Sequence, residues 1–293
     1  MLNHIILKIK KHSLSELIKY ADTNFGIGKL ELLITKNWLN PFATAYLNFR
    51  SFPIKQAIRF PIFAYGRPRF YCLSGKMIIA GKINTGMIKF NVTLQGAPSN
   101  MSIQSEILNY GQIIFKGKGE IGTGNKIATS TNSTIIIGKN FRIADCCNIG
   151  CLSNQIEIGD QCTITHRCQI LDSNYHFLAD FNNRKVAKYS TPIKIGTGCW
   201  ICNSSTITGG TVLTNYTTVG SNSLVNKNFS NLPEGSIIGG VPAKFIKTGY
   251  RKIENYDIEK KINAYFKNSS DNFYPLSEDD TPEKCSYFNR PNN

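Results

Sequence analysis

Ile195–Val225 reads IGTGCW-ICNSST-ITGGTV-LTNYTT-VGSNSL-V, and each unit of six opens on a branched apolar residue: Ile195, Ile201, Ile207, Leu213, Val219, Val225. Glycine follows at Gly196 and Gly220, and the residues between are small or polar. This spacing is neither the period of about 3.6 of a helix nor the period of about 2 of a strand with one wet face. A hexapeptide period is the mark of a parallel β-helix, in which each unit forms one short side of a triangular coil. The recurring aliphatic points into the prism and stacks on its counterpart one coil away. Three units, about 18 residues, close a coil.

Working outward, the same register is present earlier in the chain. Ile121-Gly122 and Ile127 begin it, and Ile137-Gly138, Ile143 and Ile149-Gly150 continue it. It slips at Cys151–Gln155, as a corner insertion would make it, and resumes at Ile158-Gly159, Ile164 and Ile170. It then breaks for an excursion, Leu171 to Pro192, before the clean run. Upstream, β-rich segments at Met77–Ala80, Ile88–Val92 and Ile113–Lys116 read as irregular first turns. Downstream, Gly239-Gly-Val-Pro-Ala-Lys244 is a turn that ends the prism. The pattern predicts a helix over Asp257–Phe266, followed from Ser269 by a polar Asn/Pro/Asp-rich tail.

Residues 1 to about 45 read as a helical cap, with a capping-box pattern at Ser13–Glu16 and an apolar segment Leu30–Leu39 stopping near Asn40-Pro41. Between 50 and 71 stand Arg50, Lys55, Arg59, Arg67 and Arg69 with no acid, interleaved with Phe52, Phe60, Phe63, Tyr65, Phe70 and Tyr71. Two readings stay open there: aromatics packed on the end of the prism with charges outward, or a peripheral membrane contact that meets a lipid-linked substrate. The expected organisation is a helical, aromatic-basic cap over 1–76, a β-helix over 77–250 with loop 171–192, and a C-terminal helix with a polar tail over 251–293.

Net charge is +15. Such an excess attracts nucleotide phosphates, acidic lipid or nucleic acid without choosing among them. No recognised nucleic-acid motif accompanies it, so no nucleic-acid partner is expected. No apolar run reaches the roughly 18 residues that cross a bilayer, and no cleavage site follows the Lys-interrupted start, so no signal peptide is expected. Of nine cysteines, seven fall in the repeats (Cys146, Cys147, Cys151, Cys162, Cys168, Cys199, Cys202), where a small apolar side chain suits narrow corners. Cys199-Trp-Ile-Cys202 has no second CxxC to complete a metal or redox site. Reduced thiols place the expected compartment in the cytoplasm, with the inner face of the membrane as a possible station.

A loop leaving a regular solenoid is held rigidly at its base while its sequence is free, which suits function. This one carries Asp172-Ser-Asn-Tyr-His176. Histidine is the side chain best suited to take and return a proton near neutral pH. Asp172 is read either as holding the imidazole of His176, as binding an acceptor, or as capping the loop.

The hexads, the His176 loop, Ile195-Gly-Thr-Gly-Cys-Trp-Ile201 and Gly239-Gly-Val-Pro-Ala-Lys244, occurring in this order, resemble the left-handed β-helix hexapeptide acyltransferases. The likeness is to the galactoside, maltose and capsular-polysaccharide O-acetyltransferase branch, and Leu47–Pro61 also looks like a segment of polysaccharide-locus members. The resemblance covers residues 47–250, most closely 158–247. It implies an all-β solenoid, a left-handed parallel β-helix with an N-terminal mixed α/β cap and a C-terminal helix. It further implies a homotrimer with sites between neighbouring prisms, acetyl-CoA as donor and no metal. In that reading His176 is the base that removes a proton from a sugar hydroxyl, free, nucleotide-linked or lipid-linked, in surface polysaccharide or lipopolysaccharide assembly. Trp200 would wall the cleft, Asn203 would meet the thioester end, and Ser221 would follow the pantetheine arm. Asn226 and Lys227 would approach the nucleotide, with Lys244 and Lys247 at its phosphates. His166 is read as a coil-surface or corner residue or as an acceptor contact, and Asp145 stands where the family places polar acceptor contacts. Cys202 departs from the Gly common in the family, and a side chain there narrows the donor channel.

Three other readings stay open. Transfer to the amine of an amino-sugar needs less base help. A trimeric zinc carbonic-anhydrase-like site would need three converging histidines, and the prism offers His166 and His176. A non-catalytic β-helix would need neither His176 nor CoA.

Overall fold

The computed structural model describes residues 38–94 and 103–289. The expected Ser13 helix and all but the end of the Leu30–Leu39 segment lie outside the described residues. The rest of the chain winds into a three-sided parallel coil whose sides are three sheets. The first sheet has nine strands, from Ile62–Ala64 through Phe141–Ile143 and Trp200–Ile201 to Ile237–Gly239 and Lys244–Lys247. The second has seven, from Arg69–Leu73 through Asn148–Cys151 to Leu224–Val225. The third has six, from Lys76–Ile79 through Gln155–Ile158 to Val212–Leu213. Every neighbouring pair within these sheets is parallel except the last of the first sheet, where Lys244–Lys247 folds back on Ile237–Gly239.

The period of six has the predicted cause. Ile201 pairs with Val219, Ile207 with Val225 and Ile195 with Leu213, each partner standing three hexads further along the chain. All six of these side chains are buried in the common interior. Burying an aliphatic side chain of this size stabilises the fold by about 1.5–3 kcal/mol. A stack of such residues along each inner wall therefore holds the coil together without help from propensity. Below the excursion the coils are longer than three hexads, as the pairing of Ile143 with Ile164 and of Ile127 with Ile149 shows. Surplus residues go to the corners and the inward register is kept. Across the excursion Ile164 pairs directly with Ile201, and the added chain between them is the loop.

Glycine after the third-sheet aliphatic has a packing reason. At the corner between the third and first sheets, a Cβ on Gly159 would stand 2.6 Å from Thr197 N, and one on Gly196 2.7 Å from Thr214 C. The backbones of successive coils approach too closely there for any side chain.

The coil begins earlier than the boundary expected at residue 77. Ile62–Ala64 pairs with Ile88–Phe90, and Arg69–Leu73 pairs with Glu106–Asn109, in the same sheets as the later coils. Pairing distances along the chain well beyond three hexads hide these turns from a hexad reading. Helix α1, Pro41–Ser51, closes this end. Asn40 caps it by accepting from Ala43 N–H at 3.0 Å, and Pro41 suits the first helical turn. Buried Asn48 ties it to the first strand, donating to Ile62 O at 2.7 Å and accepting from Ile62 N–H at 3.1 Å. A short helix α2, Ile54–Ala57, follows. Phe52 is buried, and Phe60, Phe63, Tyr65 and Phe70 are half-buried, so most of the aromatics singled out there serve packing.

At the other end, α3 runs Tyr256–Asn268, capped by Asn255. The segment from Ser269 is not free of the body: helix α4, Pro282–Ser286, buries Cys285, whose carbonyl accepts from Glu254 N–H at 2.9 Å and Asn255 N–H at 3.1 Å. Among the described residues, no helix is long and apolar enough to cross a membrane.

Candidate active site

The excursion leaves the corner between the second and third sheets as a built arm. Thr191 N–H bonds back to Asp172 O at 2.9 Å, and Asn174 N–H to Tyr189 O at 3.2 Å. Further out, Ala179–Asp180 and Lys185–Val186 form an antiparallel hairpin. Phe177 packs edge-on against Tyr189 at 4.7 Å, and Tyr189 OH meets Ser153 Oγ at 3.0 Å.

Asp172 is the anchor of this arm and is 1% exposed. Its carboxylate accepts from the backbone N–H groups of Leu152 at 2.7 Å, Ser153 at 3.1 Å and Asn154 at 3.1 Å, and from Ser190 Oγ at 2.9 Å. Those three N–H groups belong to the corner insertion of the preceding coil. The neighbouring charge adds to burial in pushing the Cys151 thiol up to about 12. The carboxylate thus ties the base of the arm to the corner, and it makes no ion pair with His176 among the described residues. His176 is exposed, with no hydrogen-bond partner among the described residues.

A second cluster lies on a different edge, between the first and second sheets. Cys146 N–H bonds to Thr123 O, Arg167 N–H to Asp145 O, Ser204 N–H to His166 O and Asn222 N–H to Asn203 O, all at 2.8–3.0 Å. Each donor has φ between 56° and 60°. This repeated left-handed corner stacks Thr123, Asp145, His166, Asn203 and Ser221 one above another. Asp145 is 2% exposed and accepts from Thr123 N–H at 2.7 Å through Oδ1. Its Oδ2 and His166 Nδ1 are both buried without a hydrogen-bond partner, and they face each other at 3.8 Å. The His166 side chain keeps 20% of its surface, so the other edge of the ring is open at this corner beside exposed Asn203. Read from sequence, both residues have only a minor place as corner or acceptor contacts. Their pairing is hidden because the coil between them is longer than three hexads.

The remaining predicted positions divide between edges. Trp200 is half-buried on the first sheet, with Lys252 Nζ 6.0 Å from its ring and bonded to Thr163 Oγ1 at 2.5 Å. Lys252 lies past the expected boundary of the coil and belongs to none of the motifs read in the sequence. Lys244 and Lys247 are exposed on the fold-back strand, Lys247 over the Tyr250 ring at 4.0 Å. Asn226 and Lys227 are exposed after the last second-sheet strand, Lys227 5.2 Å from the Phe229 ring. In one chain, then, His176 stands on one edge of the prism and Asn203 and Ser221 stand on another.

Cys199 is fully buried and Cys202 half-buried, so Cys199-Trp-Ile-Cys202 does not present two thiols together. Burial is the main cause pushing Cys202 up to about 11. Among the described residues no three His, Cys, Asp or Glu side chains converge as a metal site.

This architecture defines a hexapeptide-repeat parallel β-helix, and the chain resembles the O-acetyltransferases of polysaccharide assembly. No family model matches it. WbbJ of Escherichia coli (strain K12), a candidate lipopolysaccharide biosynthesis O-acetyl transferase, is 27% identical over 149 residues, covering 48% of this chain and 74% of the relative. Among solved structures, the polySia-specific acetyltransferase NeuO overlaps 71% of this chain and 98% of its own at 19% identity and a TM-score of 0.41. AntD, an N-acyltransferase from Bacillus cereus solved with dTDP and 3-hydroxybutyryl-CoA, overlaps 71% and 89% at 16% identity and a TM-score of 0.38.

Proposed function

We propose that this chain is an acetyl-CoA-dependent O-acetyltransferase that acylates a sugar hydroxyl during surface polysaccharide or lipopolysaccharide assembly. The observation that carries the reading is His176, exposed and without a hydrogen-bond partner among the described residues, on an arm that leaves the coil, with Asp172 clamping the base of that arm.

His176 takes the proton of the acceptor hydroxyl. The oxygen then attacks the thioester carbonyl, the C–S bond breaks, and the imidazolium returns its proton to the CoA thiolate. No acyl-enzyme is required. The partner for this step is a second copy of the chain. Arm residues Phe177, Leu178 and Phe181 are 65–77% exposed in a single chain, an apolar surface that a neighbouring prism would cover. A homotrimer brings the His176 arm of one subunit to the Asn203–Ser221 edge of the next. There Trp200 and Asn203 line the thioester end, and Ser221 follows the pantetheine arm. Asn226, Lys227, Lys244 and Lys247 supply polar and cationic contacts for the nucleotide end. Asp145 faces the inner edge of the His166 ring, and the ring's open edge meets the acceptor.

The test is release of CoA thiol by the purified protein across a panel of sugar acceptors, free, nucleotide-linked and lipid-linked, with amino-sugars included. Release that depends on a hydroxyl acceptor is the expected result. Release only with amine acceptors, or no acceptor dependence at all, would sink the O-acetyl reading.

A further inference from the structure

The end of the coil closed by α1 and α2 carries a surface that the reaction does not use. Helix α1 buries one side and exposes an apolar stripe on the other. Thr44, Leu47 and Asn48 face the coil, while Phe42, Tyr46 and Phe49, four and seven positions along from Phe42, form a stripe on the far side. Phe42 is 83% exposed. Helix α2 repeats the pattern, with Ile54 at its start and Ile58 at its C-cap exposed four apart. Only Phe52 and Pro53 separate the two helices, and Phe49 packs edge-on against Phe60, just past α2, at 5.8 Å.

Cations lie among these apolar side chains. Arg50, Lys55 and Arg59 are exposed, and none forms an ion pair among the described residues. No Asp or Glu occurs between Glu31 and Glu106. A surface meant to pack against protein would not usually set three charges, uncompensated among the described residues, around five exposed large apolar groups. Aromatics that enter an interface, ringed by lysine and arginine, instead complement the acyl boundary and the phosphate layer of an anionic bilayer.

We infer that the α1–α2 face is a peripheral docking surface for an anionic lipid bilayer, with Phe42, Phe49, Ile54 and Ile58 inserting and Arg50, Lys55 and Arg59 meeting headgroup phosphates. The inference is independent of the transferase reading, since it uses none of the residues assigned to acyl transfer.

Co-sedimentation of the full chain with vesicles tests it, using roughly 30% phosphatidylglycerol in phosphatidylcholine against pure phosphatidylcholine. The expected result is binding to the anionic vesicles that weakens with salt, as screening requires. Two double variants, Phe42→Ser with Phe49→Ser and Lys55→Glu with Arg59→Glu, should each lose affinity at least about tenfold. All four positions are exposed, and unchanged circular dichroism verifies folding. Three outcomes would overturn it: no binding to anionic vesicles, equal binding to both compositions, or double variants that bind like wild type. Concentration-dependent self-association abolished by the Phe42/Phe49 pair, without vesicle binding, would assign the face to a second copy instead and overturn it too.

Discussion

Two residues of one short motif do different work. Asp172 is buried with five donors on its carboxylate, whereas His176 is exposed with no hydrogen-bond partner among the described residues. Replacing Asp172 by Ala leaves three backbone N–H groups of the 152–154 corner without an acceptor inside the protein. That should lower unfolding free energy by about 3 kcal/mol, read from urea denaturation. Replacing His176 by Ala should leave the urea midpoint within error, since exposed unpaired side chains move stability by about 0.5 kcal/mol or less. Equal stability losses for the two variants would contradict this division. The arm was legible because the hexad register breaks at Leu171–Pro192 and resumes cleanly at Ile195. The job of Asp172 was not, since its partners lie in the corner insertion one coil below. The same kind of insertion hid the Asp145–His166 pair, one coil apart in space but out of step with the hexad count along the chain.

At the scale of the element, what could be read from sequence follows coil length. Where a coil is three clean hexads the aliphatics recur every six and the eye finds them. Where corners carry a few extra residues the inward register survives while the spacing drifts. Near α1 the paired strands lie further apart along the chain still, and the first turns look like unrelated strands. Two substitutions test the packing. Ile201, fully buried and paired with Ile164 and Val219, should cost about 3–4 kcal/mol on replacement by Ala through lost burial and the remaining cavity. Gly196→Ala places a Cβ 2.7 Å from backbone of the next coil and should destabilise by about 1–3 kcal/mol although it adds one methyl group. If Gly196→Ala were neutral in urea denaturation, the close approach of coils at that corner would be wrong.

For the whole molecule, the raised thiols and the placement of His176 and Asn203 on different edges carry the predictions. Burial raises Cys151 to about 12 and Cys202 to about 11 from an ordinary 9. Below 9 both states hold the proton and nothing is lost. As pH rises from 9 toward 11 and 12 the unfolded thiols ionise while the folded ones do not, so the unfolded state binds fewer protons and stability falls. Unfolding midpoints should therefore drop across that window, and Cys151→Ala should flatten the part of the drop nearest 12. A flat profile in the wild type would oppose it. Because His176 and Asn203 stand on different edges of one prism, a shared site predicts complementation. Subunits carrying His176→Ala and subunits carrying Asn203→Leu, each inactive alone, should regain turnover when refolded together. Mixed assemblies with no activity would count against a site built between copies.

The measurement that bears most directly on the central claim is acceptor-dependent CoA release by His176→Ala beside wild type, with CoA affinity determined on the same samples. Loss of a positioned base predicts a kcat lower by about 10²–10⁴ with the Kd for CoA nearly unchanged. A variant that turns over at the wild-type rate would contradict it.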